Sequence, residues 1–157
     1  MTNRKAALDP STLEPRTGSG YPEPFRSQVL PREKRALGDA FGLTKIGVNQ
    51  TTLMPGKSSS MRHWHTLEDE LVYVLEGEVT LVTDAGEEVL RPGMCAGFPA
   101  GAQNGHMFEN RGSVPARYLE ISNRDPDDSA EYPDVDLAYR KGEDGRAIFT
   151  RKDGSPY

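Results

Sequence analysis

Between Leu43 and Ser122 the apolar residues fall in short runs that alternate with polar ones and are punctuated by Gly and Pro, the period of strands rather than helices. Val48, Gln50, Thr52 and Met54 share one face of a first segment, which Pro55-Gly56 closes. From Glu70 to Leu75 the alternation puts Glu70, Val72 and Val74 on one face and Leu71, Tyr73 and Leu75 on the other. Both faces are largely apolar, which predicts a strand covered on both sides. Gly77 turns the chain into Glu78 to Thr83, Asp84-Ala85-Gly86 reads as a hairpin turn into Glu88 to Leu90, and Arg91-Pro92-Gly93 as a further turn. In Ala116 to Ser122, Arg117, Leu119 and Ile121 take one face, Tyr118 and Glu120 the other. Short strands with turn signals this regular predict an all-β sandwich or barrel.

The two ends read differently. Residues 1–36 hold five prolines (Pro10, Pro15, Pro22, Pro24 and Pro31) and few aliphatics, so they are expected as a mobile or extended arm without a core of its own. Tyr21 and Phe25 have most to gain from docking, and Arg32 to Leu37 has the composition for one or two helical turns before Gly38. Residues 123–157 turn polar again. Asp125 to Asp128 is expected as a charged turn with solvated acids, Tyr132 to Leu137 as a semi-apolar segment, and Ala147 to Thr150 as a terminal edge strand. The resulting division is an arm at 1–36, a β-core at 37–122 and an extension at 123–157 packing on it.

At 157 residues the chain is the size of one domain with a self-sufficient core. Hydrophobic content of 35%, with 16 Gly and 12 Pro, suits a turn-rich β body with polar tails better than a helical bundle. The net charge of −5, with cations interspersed among acids, argues against nucleic acid as a partner. The single Cys95 excludes an intrachain disulfide and reads as a small buried hydrophobe. No apolar run opens the sequence, so neither signal peptide nor membrane span is expected, and the expected location is the cytoplasm. Asn49-Gln50-Thr51 is then a chance match to a glycosylation sequon.

His63 and His65, two apart in an extended stretch, project to one face. Glu70 opens the following strand, and His106 is the only other histidine in the chain. Imidazoles with a carboxylate suit a borderline divalent metal such as Zn, Fe, Mn or Ni. An isolated His-x-His pair often binds nothing, and Glu70 by itself would be an ordinary strand-end carboxylate. The framing sets them apart: Pro55-Gly56 and Gly77 bracket the first group, while Gly93, Pro99 and Gly101 precede His106 and Asn110 follows it.

These two stretches resemble the paired motifs of the cupin superfamily. Gly56, His63, His65, Glu70 and Gly77 match the first motif, with six residues rather than five between Gly56 and His63. Gly93, Pro99, Gly101, His106 and Asn110 match the second, with four residues rather than two between Gly101 and His106. Strict spacing would place Asn104 at the ligand position. His106 keeps the three-residue interval to Asn110, and Gly105 lets a turn absorb the excess. The resemblance covers Leu43 to Ile121 and implies a single cupin-type jelly roll, a double-stranded β-helix. Carried over residue by residue, it implies one divalent transition metal ion per chain on His63, His65, Glu70 and His106, with Glu68 and Asp69 as rival carboxylates.

The extension at 123–157 resembles that of small bacterial cupins, some labelled sugar-phosphate isomerase-like. The resemblance thus implies an isomerase or lyase acting on a small polar carbonyl compound. An iron-dependent dioxygenase and a non-catalytic sensor or small-molecule-binding protein are the alternatives. Tyr73 and Glu120 are candidates for a proton-transferring base, and Lys57, Arg62 and Arg117 are the nearest cations for a phosphate. The two-sided strand and the arm predict a homodimer.

Overall fold

The structure, a computed structural model, describes residues 6–157; the first five residues of the expected arm lie outside it. A 3-10 turn at Pro10–Thr12 and a short helix α1 (Arg26–Val29) precede strand β1 (Arg32–Ala36), helix α2 (Leu37–Phe41) and β2 (Ile46–Leu53). Then follow β3 (Trp64–His65), β4 (Glu70–Glu76), β5 (Val79–Thr83), β6 (Gly86–Leu90), β7 (Cys95–Phe98), β8 (Met107–Glu109) and β9 (Ala116–Asn123). The extension adds β10 (Ser129–Glu131), β11 (Ala138–Lys141) and β12 (Ala147–Thr150), the last being the expected terminal edge strand. Three antiparallel sheets result, ordered β1-β2-β9-β4-β7, β12-β11-β10-β3 and β6-β5-β8, an all-β cupin-type jelly roll. Among the described residues no helix is long and apolar enough to cross a membrane.

Arg32 to Ala36 is a strand, not the expected helical turn. Each of its five residues pairs with β2, and on its other side Lys34 exchanges backbone hydrogen bonds of 2.8 and 2.9 Å with Arg16. Partners on both sides outweigh the helical preference of an isolated Arg-Glu-Lys-Arg run. The helix starts only at Leu37 and stops at Gly42, which takes the left-handed conformation with φ 68°. A boundary at residue 36 therefore cuts off a strand that belongs to the main sheet.

Two cores form. In the first, Leu53, Val72, Val74, Val79, Leu90, Phe108, Ala116 and Tyr118 fill the space between the five- and three-stranded sheets. The second joins Tyr21, Phe25 and Val29 from the arm to Met61 and to Ala130, Tyr132 and Leu137 from the extension. Tyr21 and Phe25 dock as their apolar bulk requires, and the arm from Tyr21 to Val29 is a strap rather than a loose tail.

The two-sided burial expected of β4 does not occur within one chain. Val72 and Val74 point into the core, whereas Leu71 and Tyr73 remain 40% exposed on the outer face. Cys95 pairs with Tyr73 on this outer face and is exposed, not buried, because alternation along β7 sends Ala96 and Phe98 inward instead.

Candidate metal centre

Backbone pairing brings the two histidine stretches together. His63 and His106 form an isolated antiparallel bridge, with N–H to carbonyl distances of 3.1 and 2.8 Å. β3 carries His65, and β4 opens with Glu70 on its inward face. The Nε2 atoms of His106, His65 and His63 lie 2.9, 3.7 and 4.0 Å from Glu70 Oε2. That oxygen is buried. His63, Glu70 and His106 bring ligand atoms within 4.8 Å of one another, and His65 Nε2 approaches the same carboxylate oxygen, so the four residues offer a donor set of the kind that suits a divalent transition metal.

Far-side hydrogen bonds orient two of the three rings. His63 Nδ1 donates to Met61 O at 2.9 Å, and its ring stacks on Tyr132 at 5.6 Å. His65 Nδ1 donates to Asp128 Oδ2 at 2.6 Å. Both bonds put the proton on Nδ1 and leave the Nε2 lone pair facing Glu70. His106 is held by stacking on Phe98, with ring centres 3.6 Å apart and planes 6° off parallel.

Burial pushes the His63 imidazole down to about 4, which keeps it neutral and able to donate its lone pair. For Glu70 burial acts in the opposite sense and would raise its carboxyl, but the hydrogen bond from His106 and electrostatic attraction to the surrounding imidazoles hold it down at about 2. His65 is also opposed by burial, yet Asp128 wins and raises its basicity above the ordinary value.

The alternatives left open by spacing separate cleanly. Asn104 is exposed, and its side-chain oxygen accepts from the Asp84 backbone N–H at 2.9 Å, outside the cavity. The extra residues before His106 are taken up by a turn in which Gly101 adopts φ 73° and Gly105 packs against Pro133 and Arg62. Asp69 is exposed and accepts from Ala100 N at 2.8 Å. Glu68 is buried but pairs with Lys141 and accepts from Asp125 N at 3.1 Å. The remaining motif residues have structural duties. Asn110 donates to Leu53 O and Val114 O at 2.8 and 2.9 Å, and a Cβ on Gly77 would meet Pro115 O at 2.8 Å.

A cavity of about 310 Å³ opens onto the cluster, lined also by Tyr21, Arg32, Lys34, Glu120 and Tyr132. Glu120 faces it and pairs with Lys34 at 2.6 Å; Tyr73, the other base candidate, is on the outer face. None of the cations nearest in sequence lines the cavity. Lys57 donates to Ser27 O, Arg62 is held by Asp84 and Asp134, and Arg117 by Glu76. Sequence reasoning missed Arg32 and Lys34 because it placed them on a helical turn; an i, i+2 reading would have set both on one face.

It also missed Asp128. The Asp125–Asp128 run was expected to be solvated, yet Asp128 is 1% exposed and accepts from Leu67 N, Glu68 N and His65. His65, Glu68 and Asp128 thus make a second cluster of ligand-type groups, but its atoms are already bonded to one another, to Lys141 and to backbone.

A family model described as a cupin domain matches residues 49–122. The chain is 46% identical to a sugar phosphate isomerase from a cupin superfamily of Silicibacter pomeroyi, whose crystal structure matches with a TM-score of 0.91 over 96% of both chains. A structure from Acidithiobacillus ferrooxidans, described as a candidate sugar phosphate isomerase, is 32% identical, with a TM-score of 0.70 over 78% of this chain and 77% of that one. The tetracenomycin polyketide synthase protein TcmJ of Streptomyces glaucescens is 33% identical over 100 residues, 59% of this chain and 65% of that protein. The match thus spans just under two thirds of that relative's length.

Proposed function

This chain belongs to the cupin superfamily, and from that premise we propose that it is a metalloenzyme acting on a small polar carbonyl compound, an isomerase of the sugar-phosphate type. The observation that carries the reading is the convergence of three imidazole nitrogens, 2.9 to 4.0 Å away, on one buried Glu70 oxygen. His63, His65, Glu70 and His106 would hold one divalent ion per chain, of Zn, Fe, Mn or Ni type. Such an ion supplies Lewis acidity that polarises a substrate oxygen. The full-length similarity to a sugar phosphate isomerase supports the substrate class.

The protein's own groups divide the remaining work. Glu120 is the cavity carboxylate outside the metal cluster, and Lys34 holds it by an ion pair of 2.6 Å. A carboxylate placed there can take a proton from a carbon next to a carbonyl and return it to the neighbouring carbon. Tyr21 and Tyr132, hydroxyls 3.3 Å apart, wall the cavity on the side of the strap.

The test is metal analysis of protein purified without chelator, followed by incubation with aldose and ketose phosphates in deuterated water. Isomerisation with deuterium at the exchanged carbon is expected, and Glu120→Gln should lower kcat by roughly 10²–10⁴-fold with metal content unchanged. Iron with substrate-dependent oxygen uptake and no isomerisation would overturn the reading in favour of a dioxygenase.

A further inference from the structure

Arg32 opens β1 and lines the same cavity as the metal cluster, two residues before Lys34 and on the same side of the strand. One guanidinium nitrogen, Nη1, donates to Ser59 O at 2.8 Å. Its Nε is buried and has no hydrogen-bond partner. Other half-buried cations of this protein face acids: Lys34 faces Glu120, Arg35 faces Glu33, Arg62 faces Asp84 and Asp134, and Lys141 faces Glu68. Among the described residues no carboxylate comes within ion-pair distance of Arg32. A guanidinium drawn into a cavity with a donor unused and no counter-charge is unfavourable unless something else brings the charge.

We propose that Arg32 is the seat for an anionic group of the substrate, of the phosphate monoester class. Charge balance in the cavity favours that class. Lys34 and Glu120 cancel each other, Glu70 offsets half the charge of a divalent ion, and Arg32 adds one more positive charge. A phosphate monoester carries about −1.5 to −2 at neutral pH and would neutralise this excess. The planar guanidinium also matches the oxygens of a phosphate better than an ammonium does.

Topology gives the seat its use. In the main sheet β1 is separated from β4 by β2 and β9, so Arg32 and Glu70 reach one cavity from strands three places apart. A substrate held by its anion at Arg32 extends toward the metal cluster and passes Glu120, which lies on β9 between them. The seat rests on the reading of this cavity as a substrate pocket, but it is testable without turnover.

The experiment is calorimetric titration of metal-loaded protein with inorganic phosphate, at ionic strength held constant with chloride. Wild type should bind phosphate saturably, and phosphate should raise its thermal midpoint above that in chloride. Arg32→Gln should weaken phosphate binding at least about tenfold with metal content unchanged, and Arg32→Lys should restore part of it. Lys57→Gln, changing a cation outside the cavity, should bind as wild type does. Unchanged affinity in Arg32→Gln would overturn the proposal, because the metal alone would then account for binding. Absence of saturable binding and of thermal stabilisation in wild type would overturn it as well, whether or not the variants fold. Phosphate binding at Arg32 in a protein that isomerises no sugar phosphate would leave the seat standing and remove the isomerase instead.

Discussion

The two cores of this protein are built from opposite kinds of sequence. The barrel core draws Leu53, Val72, Val74, Val79, Leu90, Phe108, Ala116 and Tyr118 from strands whose alternation announces them. The strap core draws Tyr21, Phe25 and Val29 from a proline-rich arm and Ala130, Tyr132 and Leu137 from a polar tail, with Met61 between. The first is a product of local period; the second exists only once distant segments meet. Yet the candidate site is shared between them. His106 is stacked on Phe98, which packs against the barrel core, while His63 is stacked on Tyr132 of the strap core. Half of the candidate site therefore rests on the part of the fold that local sequence advertises least.

The strongest way to break that comparison is to remove one imidazole from each side. His106→Ala and His63→Ala are both expected to cost several kcal/mol of metal affinity, each being a share of a total of roughly 10–16 kcal/mol in strong zinc sites. Asn104→Ala should leave affinity unchanged, since Asn104 holds the outer turn. Metal stoichiometry and competition titration measure all three. Metal affinity that survives His106→Ala would remove the barrel side from the site.

Next in size is the stability of each core. Leu53 and Leu137 are both fully buried, one in each core, and truncation to Ala should destabilise by about 2–5 kcal/mol in either case. Because β3 pairs with β10 and His63 stacks on Tyr132, the cores should melt together in one transition. Calorimetry of Leu137→Ala that resolves two transitions would show the strap core to be a separate unit.

Acidification of the metal-free protein sharpens the comparison at the site itself. His63 is held at about 4 in the folded state against 6.5 as the reference value, so between these pH values the unfolded chain binds more protons. Stability is complete above pH 6.5 and falls as pH drops through 4, by on the order of 3 kcal/mol. Glu70, depressed to about 2 from 4.5, adds its loss at lower pH. His65 has the opposite sign: its raised value stabilises below 6.5, and that contribution is lost as pH rises past its folded value. Thermal midpoints from pH 4 to 8 check the signs; a midpoint that rises on acidification below 6.5 would contradict the burial of His63.

The smallest expected effect belongs to Asp128, the extension's contribution to His65. Asp128→Asn keeps the shape but replaces the acceptor that orients the ring, and should lower metal affinity by about 10–100-fold. A variant with wild-type affinity would mean that β3 alone orients His65.

Much was legible before any coordinates. The alternation in Glu70 to Leu75 and Ala116 to Ser122, the hairpin at Asp84 to Gly86 and the paired motifs mark the jelly roll, because a strand's period and a turn's chemistry are local properties. The resemblance those motifs carry brought His63, His65, Glu70 and His106 forward as a group, with His106 preferred to Asn104 only on its interval to Asn110. That choice lay in a turn whose path depends on Gly105 packing against Arg62 and Pro133. Arg32 to Ala36 became a strand only because β2 and Arg16 supplied partners. Asp128 looked like a solvated acid until β10 brought it beneath His65, and Arg32 lined the cavity only once β1 joined the main sheet. Side-chain period is set by neighbours in the chain, and a sequence carries it openly. Burial, counter-charge and the shape of a cavity are set by residues far apart in the chain, and only the tertiary structure decides which of them meet.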